Sequence, residues 1–74
     1  MEDKLREIVA RIAEATPDFD INAHLRDDLN VDSFHAVEIV FEIERAFDVK
    51  VPDSRFGKVQ TFKDLLELVQ SLKG

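Results

Sequence analysis

Apolar residues recur at helical spacing in three separate stretches of this chain, and that spacing constrains its fold more than any other feature. Leu5, Ile8, Val9 and Ile12 follow the i, i+3, i+4, i+7 pattern of one buried helical face, with charged residues around the rest. Thr16-Pro17-Asp18 stops this first helix, because the residue before a proline is disfavoured in the helical region. A second helix is predicted from about Ser33 to Phe47, with Asp32 as its N-cap. Phe34, Val37, Val40, Phe41, Ile43, Ala46 and Phe47 make a stripe wider than one buried face requires, so some of them are expected to stay in solvent. A last helix carries Phe62, Leu65, Leu66, Val69 and Leu72 on one face. Thr61-Phe62-Lys63-Asp64 reads as its capping box, with Asp in place of the usual Glu or Gln, and Lys73 lies near its negative end.

The connections are less regular. Residues 17–31 show no sustained period, but Phe19, Ile21, Leu25 and Leu29 are spaced anchors that tie this loop to the core; a short helical turn near Asn22 to Leu25 stays open. A structured loop of this length in so small a domain is often functional. Val51 is extended ahead of Pro52, Asp53 is placed to cap a short turn that includes Phe56, and Gly57 ends it. No strand is expected. The fold class is all-α: a small bundle of three main helices plus one short helix, with a long structured loop between the first and second helices. The 74 residues read as a single domain, 1–74, with a thin core and no room for a deep catalytic cleft and its supporting shells.

Composition narrows the function further. The chain has no cysteine, which excludes a disulfide frame and a thiolate metal site. Its 16 acidic and 10 basic residues give a formal charge of −6, a balance that disfavours nucleic acid and either steers toward proteins with basic patches or simply keeps a small domain in solution. The N-terminus Met1-Glu2-Asp3-Lys4-Leu5-Arg6-Glu7 lacks the apolar run of a signal peptide, and no stretch approaches the roughly 20 apolar residues that span a bilayer. The expectation is a cytoplasmic monomer with no membrane insertion.

The segment Asp28-Leu29-Asn30-Val31-Asp32-Ser33-Phe34 carries the chemistry, and three readings compete for it. Asp28, Asn30 and Asp32 alternate like the first oxygen ligands of a calcium loop. Ser33 then stands where that loop needs glycine, and Ile39 where it needs a bidentate Glu, so no metal site is expected. Ser33 as a catalytic nucleophile would need a base and an oxyanion hole. No Gly-x-Ser-x-Gly elbow is present, His35 is two residues away and so points elsewhere on a helix, and His24 lies in the preceding loop. No catalytic residue is assigned. The third reading takes Ser33 as an attachment point: an exposed hydroxyl in the first turn of a helix, where free N–H groups favour a phosphate ester and the Asp32 carboxylate opposes it.

At these residues the sequence resembles the acyl carrier protein family, whose members carry a prosthetic arm on the serine of an Asp-Ser-Leu motif; here the motif is Asp32-Ser33-Phe34. The likeness spans nearly the whole chain. Leu25-Arg26-Asp27-Asp28-Leu29 resembles the acidic approach to the motif, and Val37 to Phe47 resembles the second helix. Val51-Pro52-Asp53 matches the hydrophobic-Pro-Asp turn, and Thr61-Phe62-Lys63-Asp64 the opening of the last helix. The resemblance implies 4'-phosphopantetheine on Ser33, flanked by Asp32 and Phe34, with acyl cargo held as a thioester. It also implies the partners: a phosphopantetheinyl transferase, a loading ligase for acyl or aminoacyl groups, and client enzymes of fatty-acid, lipid or polyketide-type synthesis that dock on Val37, Glu38, Phe41 and Glu44.

The chain departs from the family at four places: Asn30 where many members have glycine, His35 where many have an acid, Arg45 within the acidic helix, and Phe34 for leucine. These make the docking face less acidic and point to a specialised member. An aminoacyl or D-alanyl carrier is the alternative within the class. A helical interaction module without an arm is the alternative outside it.

Overall fold

The computed structural model describes all 74 residues, as four helices: α1 (Glu2–Ala13), α2 (Ser33–Phe47), α3 (Asp53–Phe56) and α4 (Phe62–Lys73). No strand is present beyond an isolated antiparallel bridge between His24 and Thr61. The expected bundle of three main helices and one short helix is therefore the observed one. Asp32 caps α2, its side chain accepting the His35 N–H, and the Thr61–Asp64 capping box opens α4 in both of its reciprocal bonds.

One hydrophobic cluster unites the helices and the long first loop. Leu5, Val9, Ile39, Ile43, Phe62, Leu65 and Val69 are fully buried at its centre. α1 packs on α2 and α3 on α4. Several core positions differ from the periodicity reading. Ile39 is entirely buried although the broad α2 stripe omitted it, while Ala46 from that stripe is exposed. Leu68 joins the α4 face, and Ile12 and Leu72 at the helix ends are only partly covered. α2 is apolar around more than one face, and periodicity alone does not say which face meets the core; Leu68 lies at the edge of α4's single apolar face, and Ile12 and Leu72 sit at helix ends.

One cap assignment and one helix end also change. Asp53 is the first residue of α3 rather than its cap, and the cap, Pro52, offers no side-chain hydrogen bond. Gly57 closes α3 in ordinary right-handed conformation. α1 ends earlier than the proline signal, at Ala13, because Glu14 turns into the left-handed region with φ 58°.

The loop from residue 14 to 32 is held at both ends. The Arg6 guanidinium donates to the carbonyls of Pro17 and Phe19 and stacks on the rings of Phe19 and Phe62, at 4.8 and 5.1 Å. Those two rings meet edge to face at 4.9 Å. Farther along, Leu25 N–H donates to Gln60, Phe62 N–H to Ala23 and Lys63 N–H to Ile21, which clips residues 21–25 to the entrance of α4. The open turn near Asn22 to Leu25 is thus a clipped turn and not a helix. The chain then folds on itself, with Asp28 and Leu29 donating to the His24 carbonyl and Val31 to that of Leu25. Asn30 sits at φ 58°, a left-handed position that Asn tolerates better than most residues.

Phe62 connects the core, the Arg6 stack and the loop clip. Phe62→Ala is expected to remove about 3–5 kcal/mol of unfolding free energy, read as a lowered midpoint in urea denaturation. A loss below about 1 kcal/mol would contradict this central role.

Candidate functional site

Ser33 occupies the first position of α2 and is exposed. Its placement follows from the clipped loop: Leu25, Leu29 and Val31 are buried, so the chain leaves the core at Asp32, and the next residue faces solvent. The hydroxyl lies where two surface hollows meet. One, of about 350 Å³, is bounded by His24, Val31, Asp32 and Gln60. The other, of about 740 Å³, runs between α2 and α3 past Val37, Val40, Phe41, Val51 and Phe56. Arg26, Ser33, Ala36 and Phe56 belong to both. The remaining serines differ: Ser54 lines neither hollow, and the Ser71 hydroxyl accepts a bond from Arg55 at 2.9 Å.

Asp32 is a charged neighbour of this hydroxyl. Its Oδ1 accepts the His35 N–H at 2.9 Å, and this bond holds its carboxyl below the ordinary value of 3.8; the His35 ring contributes a smaller lowering. The His35 Nδ1 lies 3.4 Å from the same oxygen, near enough for attraction but not aligned as a hydrogen bond. The first turn of α2 contains no acid.

The acids of the calcium reading are used differently. Asp28 Oδ2 accepts the His24 N–H at 2.7 Å while Asp32 caps α2, and no group of three or more metal-ligating side chains converges. The Nδ1 of His24 accepts the Asp27 N–H at 3.3 Å, and neither histidine is hydrogen-bonded to Ser33.

The side chains expected to dock partners are mostly in solvent. Phe34 is 80% exposed, Phe41 66% and Val37 56%, and Glu38 is exposed without an ion pair. Glu44 is not free: it is half-buried, and its Oε2 accepts the Val51 N–H at 2.8 Å, fixing the exit from α2. Glu42 pairs with Arg11 at 3.1 Å and Arg45 at 3.5 Å. The sequence reading passed over Arg26. Its signal was a lone cation inside an acidic approach, and it lines both hollows at Ser33.

A helical bundle whose second helix opens on an exposed serine, with a mixed apolar groove leading away, is built as a carrier domain and not as a catalyst. The family model described as the phosphopantetheine attachment site matches residues 3–69, and the chain belongs to that family. It is 32% identical over 63 residues to an acyl carrier protein of Amoebophilus asiaticus (strain 5a2), covering 85% of this chain and 79% of that protein. It is 30% identical over 71 residues to an acyl carrier protein of Campylobacter hominis, covering 95% and 90%. As a member of the family it carries 4'-phosphopantetheine, is not itself an enzyme, and interacts with synthase and transferase enzymes. The arm fits the structure: an exposed hydroxyl opens directly onto a groove with apolar walls and charged edges.

The lowered Asp32 value sets a pH dependence. A carboxylate held below its unfolded value adds stability above that value and loses it as pH falls through the folded one. Asp32→Asn is therefore expected to be less stable than the unsubstituted protein at neutral pH, with the gap closing as pH falls below the ordinary 3.8. Urea denaturation across a pH series measures this, and a gap independent of pH would contradict it.

Proposed function

We propose that this chain is an acyl carrier whose 4'-phosphopantetheine arm is joined to the Ser33 hydroxyl. The observation that carries the reading is the position of Ser33: exposed at the start of a long helix, at the meeting of two hollows, within the Asp32-Ser33-Phe34 motif of a chain that belongs to the attachment-site family. When bound, the arm supplies the terminal thiol on which acyl groups ride as thioesters, a thiol this cysteine-free chain lacks. The chain's own residues do the rest. The Asp32 cap keeps the first turn of α2 formed, so the hydroxyl is presented on rigid backbone to an incoming transferase. Val37, Val40, Phe41, Val51 and Phe56 wall a groove that receives the arm and short apolar cargo.

On this reading the chain is a single domain, 1–74, working in the cytoplasm as a monomer; no helix is long and apolar enough to cross a membrane. Its partners are a phosphopantetheinyl transferase, an acyl-loading ligase and the acyl-transferring enzymes of fatty-acid, lipid or polyketide-type synthesis. They read the exposed strip of Phe34, Val37, Glu38 and Phe41, an apolar centre with an acidic edge, as in transient interfaces. Glu44 stands at the end of that strip with one carboxylate oxygen already bonded to Val51.

With a phosphopantetheinyl transferase and coenzyme A, the intact mass is expected to rise by one phosphopantetheine, and Ser33→Ala to abolish the rise. A mass gain in Ser33→Ala would sink the assignment. Glu38→Lys is expected to slow acyl transfer to a client enzyme by roughly fivefold or more, through lost steering, while unfolding free energy changes by less than about 0.5 kcal/mol. Equal losses of fold and transfer would refute the docking role.

A further inference from the structure

The electrostatics at Ser33 leave one role open. A phosphate diester on this hydroxyl is an anion beside the Asp32 carboxylate, which the His35 N–H keeps ionised. The two repel, weakly because water screens the exposed site, and a cation at hand would relieve that repulsion. The candidates are few. Lys50 lines the same α2–α3 groove, but next to Val51, whose N–H is held by Glu44. Glu44 lies about 16 Å along α2 from Ser33 at 1.5 Å per residue. The Nδ1 of His24 is occupied by the Asp27 N–H, and His35 is turned to Asp32. Arg11, Arg45, Arg6 and Arg55 are each engaged elsewhere, with Glu42, with Glu2 and the loop carbonyls, or with Ser71.

Arg26 is different. It is exposed, it has no ion pair or hydrogen bond of its side chain within the chain, and it lines both hollows that meet at Ser33. Its backbone is fixed next to Leu25, which is buried and clipped to Gln60, so the guanidinium swings from a rigid base. A guanidinium presents paired donors that match two phosphate oxygens. We infer that Arg26 is a positioning residue that grips the phosphodiester of the arm on Ser33, offsets the repulsion from Asp32, and directs the arm into the α2–α3 groove. This rests on Ser33 as the attachment point. Glycine or alanine at 26 leaves the arm to swing freely, and lysine restores the charge without the paired donors.

The test compares apo and armed forms of the unsubstituted protein, Arg26→Gln and Arg26→Lys, all loaded by a transferase from coenzyme A. Intact mass is read first. Failure of the unsubstituted protein to gain the arm overturns the Ser33 reading, and Arg26 with it. Where all three are loaded, two measurements follow: the change in melting temperature on arming, and the ³¹P resonance of the diester with its response to salt. The armed unsubstituted protein is expected to melt roughly 2–5 °C higher, relative to its own apo form, than armed Arg26→Gln does relative to its apo form. Its ³¹P line is expected to be broader and to sharpen with added salt, with Arg26→Lys intermediate. Because each variant is referred to its own apo form, a general loss of stability does not mimic the effect. Equal melting shifts and identical ³¹P lines in loaded Arg26→Gln and unsubstituted protein overturn the Arg26 assignment and leave the Ser33 reading standing.

Discussion

The backbone pairing of residues 21–25 with residues 60–63 is the constraint on which the rest of this small protein depends. A loop with no secondary structure of its own cannot otherwise deliver a helix start to a fixed place. Here three main-chain bonds tie it to the entrance of α4, Phe62 and Arg6 lock its near end, and buried Leu25, Leu29 and Val31 hold its far end. The chain then leaves the core at Asp32, and the hydroxyl of Ser33 is in solvent for geometric reasons before any chemistry is considered. The same segment also places Arg26 on the rim of both hollows.

Much of this was legible in the residues. The periodic apolar stretches gave all three main helices, and local side-chain chemistry gave the caps at Asp32 and Thr61–Asp64, because capping depends on residues within one turn. What was not legible depended on tertiary contact. Ile39 was missed as core because α2 is apolar on more than one side and only packing selects the buried side, and Leu68 because it lies at the edge of the α4 stripe. The early end of α1 at a left-handed Glu14 left no mark that outweighed Thr16-Pro17. Asn30, a departure from the glycine common in the family, is explained by φ 58°: the position requires a left-handed residue, and Asn provides it at lower cost than a branched side chain.

At the candidate site it was the class of protein that was legible in the residues. The Asp-Ser-Phe motif and the order of the surrounding segments pointed to Ser33, and the family match over residues 3–69 agrees with the class that this implied. Glu44 was expected on the docking strip. Its bond to the Val51 N–H, which makes it part of the α2 exit, depends on how the chain returns after Asp48 and is invisible in sequence. The exposed Phe34, Val37 and Phe41 distinguish a face kept out of the core from the buried face of Ile39 and Ile43, and the free Glu38 on that face is separate from the paired Glu42. A single helix thus serves the fold on one side and keeps an apolar strip in solvent on the other.

The central claim is that the hydroxyl at position 33, and no other, bears the arm. Fragment mass spectrometry of the protein purified from its native cell tests this most directly. The account predicts phosphopantetheine on the peptide containing Ser33, with Ser54 and Ser71 unmodified. An arm on either of those serines, with Ser33 bare, would contradict it.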